Sequence, residues 1–275
     1  MATRSPVLNV MLRAADKAAR GLKRDFGEIE NLQVSRKGPA DFVSAADHNA
    51  ERTLRRELGR ARPNFGLLME ESEDAAATQG SDAHGSRFIV DPLDGTTNFL
   101  NGLPHFAISI ALEQRGEITA AVVYDPVKDE QFYAEKGGGA FVNNDRRLRV
   151  SACAPLDAAL IATGAPFKGH GDRPIFLAEL DAVMANTAGI RRMGAASLDL
   201  AYVAAGRFDG YWERDLRAWD IAAGILLVRE AGGVVTQADG KPIRPDSPSI
   251  LASTVDLETG LQRLVHGAAK AARPA

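Results

Sequence analysis

Apolar residues near the start of the chain recur at the three-to-four-residue spacing of amphipathic helices. The pattern predicts one helix over residues 7–22 and a second over 44–58, with Ser44 or Asp47 near the start of the second. A turn is expected over 36–41, where glycine and proline interrupt the pattern. The amino-terminal part of the chain is therefore expected to be helical.

The middle of the chain alternates apolar and polar positions, which predicts an antiparallel sheet. Before it, a short apolar strand at 66–69 is followed by a polar stretch to residue 85, which predicts a mobile loop. The strands of the sheet are expected at 107–113, 118–124, 130–134 and 140–142, with turns at 115–116, 126–129 and 137–139.

The last part of the chain returns to an α/β pattern. It predicts a strand at 160–163, helices at 174–185, 196–205 and 219–231, and a strand that begins at Val234 after two glycines. No tandem repeat or linker separates the halves. We therefore expect one unit over 1–275, made of an α+β half over 1–150 and an α/β half over 151–275.

The segment 91–99 carries two carboxylates, two hydroxyl groups and a turn glycine directly after the apolar run 87–90. We expect Asp91 at the carboxyl end of a buried strand, with Pro92 ending the strand ladder. Ligands bind at that end in open α/β sheets. Gly95 frees the backbone to turn into a helix, whose first amide groups favour an anion. The segment thus predicts carboxylates for a hard cation beside amides for an anion.

Composition narrows the class of protein. The 33 basic and 36 acidic residues leave a formal net charge of −3, so no strong overall field favours nucleic acid or a membrane surface. Cys153 is the single cysteine, which excludes an intrachain disulfide and fits a reducing cytoplasm. The five histidines form no ligand set, which argues against zinc. The first 24 residues lack the apolar centre of a secretory signal; their arginines would also suit a mitochondrial presequence, against which Asp16 argues.

Several blocks of the sequence, in order, resemble the inositol monophosphatase family. The blocks are Asp41 to Asp47, Glu70-Glu71-Ser72, Asp91 to Phe99, Gly137 to Asn143, and Trp219 to Gly224 followed by Glu230 to Gly233. The segment Gly194 to Ala201 is typical of the bacterial inositol-1-monophosphatases that include the extragenic suppressor proteins. The resemblance implies alternating helix and sheet layers, an αβαβα sandwich shared with fructose bisphosphatases. It also implies a metal-dependent, often lithium-sensitive phosphomonoesterase that forms a homodimer.

The resemblance implies a ligand set for two or three Mg²⁺ ions. One ion would bind Glu70, Asp91 and the backbone carbonyl of Leu93, and a second would bind Asp91, Asp94 and Asp220, so that Asp91 bridges them. Oxygen ligands of this kind suit Mg²⁺. Asp220 could instead only cap the helix that starts near Trp219.

Catalytic and substrate roles also come from the resemblance. A link between Thr96 and Asp47 would orient or deprotonate the attacking water, with Glu70 beside it. Asp47 could equally serve only its helix, since a carboxylate in the first turn favours the helix dipole. The amides of Gly95 and Thr96 would bind phosphate oxygens.

The alcohol part of the substrate would meet Glu213, Arg191 and the turn Gly194-Ala195. Glu213 could alternatively pair with a neighbouring arginine, and Arg191 could equally form a surface ion pair or a dimer contact. Ala195 stands where some animal members have threonine, which puts selectivity for inositol in doubt.

The leading hypothesis is hydrolysis of inositol-1-phosphate or a similar polyol phosphate. Fructose 1,6-bisphosphate, histidinol phosphate and 3′-phosphoadenosine 5′-phosphate remain open as substrates. A rival hypothesis is an interaction protein that contacts RNA polymerase, as suppressor-type relatives do. Direct binding of nucleic acid is not expected, because no basic, aromatic-interleaved stripe is present.

Overall fold

The computed structural model describes residues 4–28, 34–38, 41–72, 80–167 and 170–273. The helices are α1 (Pro6–Phe26), α2 (Ala45–Ala61), α3 (Thr96–Leu100), α4 (Arg173–Met184), α5 (Ala196–Ala204), α6 (Ala218–Glu230) and α7 (Val255–Ala272). The strands are β1 (Val34–Gly38), β2 (Asp41–Ser44), β3 (Gly66–Met69), β4 (Arg87–Asp94), β5 (Ala107–Gln114), β6 (Glu117–Asp125), β7 (Glu130–Glu135), β8 (Gly139–Val142), β9 (Arg146–Arg147), β10 (Leu160–Thr163), β11 (Gly189–Arg191), β12 (Gly210–Arg214), β13 (Val234–Thr236) and β14 (Ser249–Ser253).

Two large sheets organise these elements. The first has seven strands in the order β3-β4-β5-β6-β7-β8-β9, in which only β3 and β4 run parallel. The second has five strands in the order β11-β10-β12-β14-β13, with β11 and β12 parallel to β10, and β14 antiparallel to both of its neighbours. Strands β1 and β2 form a small antiparallel pair.

Three apolar cores lie between five layers. Helices α1 and α2 cover one face of the seven-stranded sheet, α5 and α6 lie between the two sheets, and α4 and α7 cover the outer face of the five-stranded sheet. Strand β5 shows how the sequence builds this arrangement. Ile108 and Ile110 face the core under α1 and α2, and Ala107 and Ala111 face the core around α5 and α6. The expected αβαβα sandwich is confirmed.

Polar side chains fix where the main helices begin. Ser5 caps α1 by accepting from the Leu8 amide, and Ser44 caps α2 in a reciprocal box with Asp47. The predicted helices over 7–22 and 44–58 are thus confirmed with small extensions. The predicted strands of the antiparallel sheet, the strand at 160–163 and the helices near 174, 196 and 219 are confirmed within about two residues.

Two local expectations are corrected. Residues 36–38 and 41 belong to β1 and β2 and not to a turn, while residues 39–40 lie outside the described part, as do residues 73–79 of the predicted loop. Pro92 does not end β4, which continues to Asp94. The strand accommodates proline because its pairing with β5 shifts register between Asp91 and Asp94, so the missing N–H falls in a bulge. No helix in the described part of the chain is long and apolar enough to cross a membrane.

Candidate active site

The bulge in β4 carries the two aspartates that the sequence singled out. Oδ1 of Asp91 accepts a hydrogen bond from the Leu93 amide at 2.9 Å. Oδ2 of Asp94 accepts two from Ser197, from the backbone N–H at 2.7 Å and from the hydroxyl at 2.6 Å. Both carboxylates are buried. Each is therefore held by one of its oxygens.

Asp220 reaches the same region from the first turn of α6, more than a hundred residues later in the chain. Its Oδ2 accepts a hydrogen bond from the backbone N–H of Arg217 at 2.6 Å. The capping role that the sequence left open is thus present. It uses only one of the two oxygens, so it does not compete with a role as a ligand.

The acidic side chains in this region act on one another. Burial raises the pKa of Asp91 well above its usual value, and repulsion from Glu70, Asp94 and Asp220 raises that pKa further. Burial also raises the pKa of Asp94 to about 6, against the hydrogen bonds from Ser197. The pKa of Asp220 is raised by burial first and by repulsion from Asp94 next. A cation among these groups would relieve the repulsion.

The donor set fits a hard divalent cation. The second oxygens of the three aspartates, Oδ2 of Asp91 and Oδ1 of Asp94 and Asp220, have no hydrogen-bond partner among the described residues. Carboxylate and carbonyl oxygens are the ligands that Mg²⁺ takes. Across the described residues, no three His, Cys, Asp or Glu side chains are set at metal-binding spacing. The fit therefore lies in the donor chemistry and the shared charge and not in a preformed cage.

Thr96 and Asp47 meet as the sequence predicted. Oγ1 of Thr96 lies 3.0 Å from Oδ1 of Asp47 and 3.0 Å from the carbonyl oxygen of Leu93. Oδ2 of Asp47 accepts from the backbone N–H and the hydroxyl of Ser44. Burial raises the pKa of Asp47, and these hydrogen bonds oppose the shift. Both oxygens of Asp47 are engaged, which suits a proton acceptor behind Thr96 better than a metal ligand.

Gly95 lies between the Thr96–Asp47 pair and the turn at Gly194. Its φ of 91° is left-handed, and a β-carbon there would lie 3.1 Å from the His105 carbonyl oxygen and 3.3 Å from the β-carbon of Ala195. Asn98 fixes the contact, because its Nδ2 donates to the carbonyl oxygens of His105 and Met193, at 2.8 Å each. The predicted phosphate-binding turn therefore lies against the predicted alcohol-binding turn.

A cavity of about 750 Å³ opens beside the carboxylates. Glu70, Asp220 and Glu213 line it together with Trp219 and the segment 164–167. Its volume lies within the range of small-molecule sites. Three of the predicted site residues therefore share one cavity.

Glu213 is held at the wall of the cavity by two neighbours. The hydroxyl of Tyr211 donates to Oε2 of Glu213. Gly164 packs so closely that a β-carbon at this position would overlap the carboxylate. Burial raises the pKa of Glu213 to about 7, with the Tyr211 hydrogen bond opposing the shift. The structure brings Glu213 to the site as a carboxylate poised to change charge near neutral pH.

Arg191 does not line this cavity. Its side chain is exposed, and its Nη1 donates to the carbonyl oxygen of Ile190 at 2.9 Å. The structure thus offers no contact in support of the predicted substrate role. Conversely, sequence reasoning gave no site role to Ser44, Gly164 or Ser197. Ser44 and Ser197 carried a signal that could have found them, because they lie within the Asp41 to Asp47 and Gly194 to Ala201 blocks.

The layered fold and the acidic site together support a phosphatase. The model of the inositol monophosphatase family matches residues 3–272. The chain belongs to the inositol monophosphatase family, which is generally metal-dependent.

Relatives and solved structures agree with this membership. The inositol-1-monophosphatase of Rhizobium meliloti (strain 1021) is 59% identical over 265 residues, which cover 96% of this chain and 97% of that protein. The Nus factor SuhB of Pseudomonas aeruginosa is 45% identical over 239 residues, 86% of each chain. The crystal structure of the extragenic suppressor protein suhB from Bartonella henselae has a TM-score of 0.90 at 56% identity and covers 95% of this chain and 98% of that one. The similarity to the bacterial inositol-1-monophosphatase and suppressor proteins is thus confirmed.

Proposed function

We propose that the chain is a Mg²⁺-dependent phosphomonoesterase that hydrolyses inositol-1-phosphate to inositol and phosphate. One observation carries the proposal: three neighbouring aspartates, of which Asp91 and Asp94 are buried and Asp220 is partly buried, each offer a second oxygen without a partner among the described residues, and the Thr96–Asp47 hydrogen bond lies beside them. Relatives named inositol-1-monophosphatase support this choice of substrate.

Glu70, Asp91, the Leu93 carbonyl, Asp94 and Asp220 would hold two or three Mg²⁺ ions. When bound, these ions supply positive charge to the phosphate oxygens and acidify a water. The protein residues keep the carboxylates in place through the Leu93 amide, Ser197 and the Arg217 amide.

Thr96 and Asp47 would handle the proton of the attacking water. The Thr96 hydroxyl donates to Oδ1 of Asp47, so its own oxygen is free to accept from a water on the other side. The water oxygen forms the new P–O bond and the ester P–O bond opposite breaks. The proton of the attacking water passes through the Thr96 hydroxyl towards Asp47, and the leaving alkoxide takes a proton from a solvent water. Amides in the first turn of α3, at Gly95 and Thr96, would bind phosphate oxygens, since such amides have no partner within the helix.

Glu213 and the Gly194-Ala195 turn would face the alcohol. An ionised Glu213 accepts hydrogen bonds from vicinal hydroxyl groups and thus favours a polyol over an apolar alcohol. The cavity also leaves room for larger alcohols. Fructose 1,6-bisphosphate, histidinol phosphate and 3′-phosphoadenosine 5′-phosphate are therefore the competing substrates.

The test is a measurement of phosphate release from inositol-1-phosphate and the three competing substrates, with and without Mg²⁺ and Li⁺. We expect Mg²⁺-dependent release that is fastest with inositol-1-phosphate and inhibited by Li⁺. The variant Asp94→Asn should lose activity, while Asp256→Asn, a matched change in the first turn of α7, should keep it. Full activity in Asp94→Asn, or no Mg²⁺-dependent release from any of the substrates, would refute the proposal.

We further propose a homodimer that packs through α4. Leu177 and Met184 are 48% and 57% exposed and lie two turns apart on one side of this helix, so a second copy related by a two-fold axis would cover both side chains. Light scattering should give the mass of two chains, and Leu177→Lys with Met184→Lys should give the mass of one.

A second function, contact with the transcription machinery, is favoured by the relatives named Nus factor SuhB. A pull-down of RNA polymerase from the native organism tests it. Recovery that is equal for the wild type and Asp220→Asn would support a role separate from catalysis, and no recovery would count against it.

A further inference from the structure

A basic groove runs between α1 and α2, on the outer face of the layer that these two helices form. Its basic residues are Lys17, Arg24, Arg52 and Arg56. Its volume is about 450 Å³. Its floor is made of small residues on both helices, Ala18, Gly21, Ala46 and Ala50. At Gly21 a β-carbon would meet nothing within 4 Å, so the groove is open at its centre.

The groove carries more positive charge than its neighbours neutralise. Lys17 and Arg56 both pair with Glu57, at 2.5 and 3.3 Å, and Arg24 pairs with Asp25 at 2.7 Å. Arg52 donates to the amide oxygen of Asn49 and has no ion pair among the described residues. Glu57 and Asp25 pair with three of the four cations, and the charge of Glu28 acts on Arg24 at longer range, so the groove keeps a positive excess in a chain whose net charge is −3.

Neutral hydrogen-bonding groups lie between the charges. Asn49 and Thr53 stand one turn apart on α2 and line the groove together with Arg52 and Arg56. Guanidinium groups bind phosphate oxygens through paired N–H donors, and amide and hydroxyl groups complete such contacts. The groove lacks an aromatic side chain on which a base could stack.

We propose that this groove is a binding site for a small molecule that bears two or more phosphate groups. The four cations provide two pairs of donors, one pair for each of two phosphates, and the open floor above Gly21 admits the atoms between them. The site is separate from the catalytic cavity, with which it shares no lining residue.

The groove nevertheless touches the elements that position the catalytic pair. Ala46 and Ala50 on its floor flank Asp47 on α2, and Asp47 accepts from Thr96. On α1, Asp25 lines the groove and precedes Phe26, whose ring packs 5.6 Å from that of Phe99 on α3. A ligand in the groove would therefore contact the outer side of the helices that hold the proton acceptor.

Calorimetric titration of the full chain with tripolyphosphate, in the presence of a chelator, tests the proposal. Without metal, the carboxylates of the catalytic site repel an anion, so binding there does not contribute. We expect saturable binding of one tripolyphosphate per chain that weakens as salt is added. Absence of saturable binding at low salt would refute the proposal.

Three variants locate the binding. Arg52→Gln with Arg56→Gln should weaken it by about tenfold or more, since two charge-assisted contacts are lost. The matched pair Arg263→Gln with Lys270→Gln, exposed on α7, removes the same charge elsewhere and should change the dissociation constant by less than about twofold. Equal weakening by both pairs would show non-specific attraction and overturn the site.

Gly21→Leu provides a test that leaves every charge in place. The leucine side chain should occupy the open floor and weaken binding, while helix α1 is stabilised because leucine favours a helix more than glycine does. The midpoint temperature of thermal unfolding of this variant should therefore be equal to or higher than that of the wild type. Unaltered binding of tripolyphosphate by Gly21→Leu would place the ligand outside the groove.

Discussion

Ser197 donates two hydrogen bonds to a single oxygen of Asp94, one from its backbone at 2.7 Å and one from its hydroxyl at 2.6 Å. This double contact holds Asp94 from α5, across the interface between β4 and the helix layer. It leaves the second oxygen of the carboxylate without a partner among the described residues, as the proposed metal site requires. Groups that orient a ligand in this way affect metal affinity without touching the metal.

We expect Ser197→Ala to raise the Mg²⁺ concentration for half-maximal activity by about tenfold or more. The backbone hydrogen bond remains, so the fold should be kept. The measurement is phosphate release as a function of Mg²⁺. Ser249→Ala, which removes a buried hydroxyl that accepts from the Ala238 amide, is the control and should leave the Mg²⁺ dependence unchanged.

The hydroxyl of Thr96 is expected to be needed for turnover. Thr96→Val keeps the shape of the side chain but removes the contact to Asp47, and it should lower kcat by about a hundredfold or more. Thr96→Ser keeps the hydroxyl and should stay within about tenfold of the wild type. The neighbouring exposed Thr97→Val should have no effect. A Thr96→Val enzyme with wild-type kcat at saturating Mg²⁺ would remove Thr96 and Asp47 from the mechanism.

Glu213 should make substrate binding depend on pH. Its raised pKa of about 7 means that the carboxylate gains its charge as pH rises through that value. We therefore expect KM for inositol-1-phosphate to fall between about pH 6 and pH 8. Glu213→Gln should raise KM by about tenfold to a hundredfold, through the loss of a hydrogen bond to a charged group. It should leave only the weaker pH dependence of the substrate phosphate, whose second pKa is about 6.

Gly164 provides an independent route to the same effect. A β-carbon at this position overlaps the Glu213 carboxylate, so Gly164→Ala should displace it and raise KM while leaving the charge in the chain. Gly59→Ala, on α2 with nothing within 4 Å, is the matched control and should leave KM unchanged. Steady-state kinetics at several pH values distinguish the Gly164→Ala variant from the Gly59→Ala control. An unaltered KM in Gly164→Ala would show that Glu213 does not face the alcohol.

Much of the fold follows from periodicity in the sequence. Strands β5 to β8 alternate cleanly because each face of their sheet meets a different helix layer, and α1 has one apolar stripe because its other side faces water. Strand β14, with all five residues buried, and α7 carried no prediction. A short strand buried on both faces has no alternation to reveal it.

The candidate site was harder to predict because its parts are distant along the chain. The Asp91 to Asp94 segment can be recognised in the sequence because its carboxylates directly follow an apolar run. Its partners Ser197 and Asp220 come from α5 and α6, and only the packing of these helices between the sheets brings them together. The bulge at Pro92 likewise could not be inferred, since proline usually marks the end of a strand and here sits within one.

His105 provides a prediction about folding stability. Its ring is 7% exposed, and neither of its nitrogens has a hydrogen-bond partner among the described residues, although Nε2 lies 3.5 Å from Oδ1 of Asp199. Burial, with a smaller effect from the charge of Lys128, lowers the pKa of His105 from 6.5 to about 4. The folded protein therefore holds His105 neutral at pH values where the unfolded chain is protonated.

The sign of the effect follows from linkage. Between pH 6.5 and about 4 the unfolded state binds the proton more strongly, so His105 makes the folded state less stable as pH falls, and the loss levels off below about pH 4. A shift of this size corresponds to about 3 kcal/mol at most. Asp94, whose pKa is raised to about 6, has the opposite effect, because its protonation makes the folded state more stable as pH falls. The contribution of Asp94 must therefore be separated from that of His105.

A comparison of variants isolates the contribution of His105, together with its charge interaction with Asp94, because the carboxylates are present in both proteins. We expect the free energy of unfolding in urea to fall less steeply in His105→Gln than in the wild type between pH 6.5 and pH 4, with the two curves parallel above pH 7. His266→Gln, an exposed histidine on α7, should keep the wild-type slope. If His105→Gln and the wild type lose the same free energy over this range, the protonation of His105 does not limit acid stability.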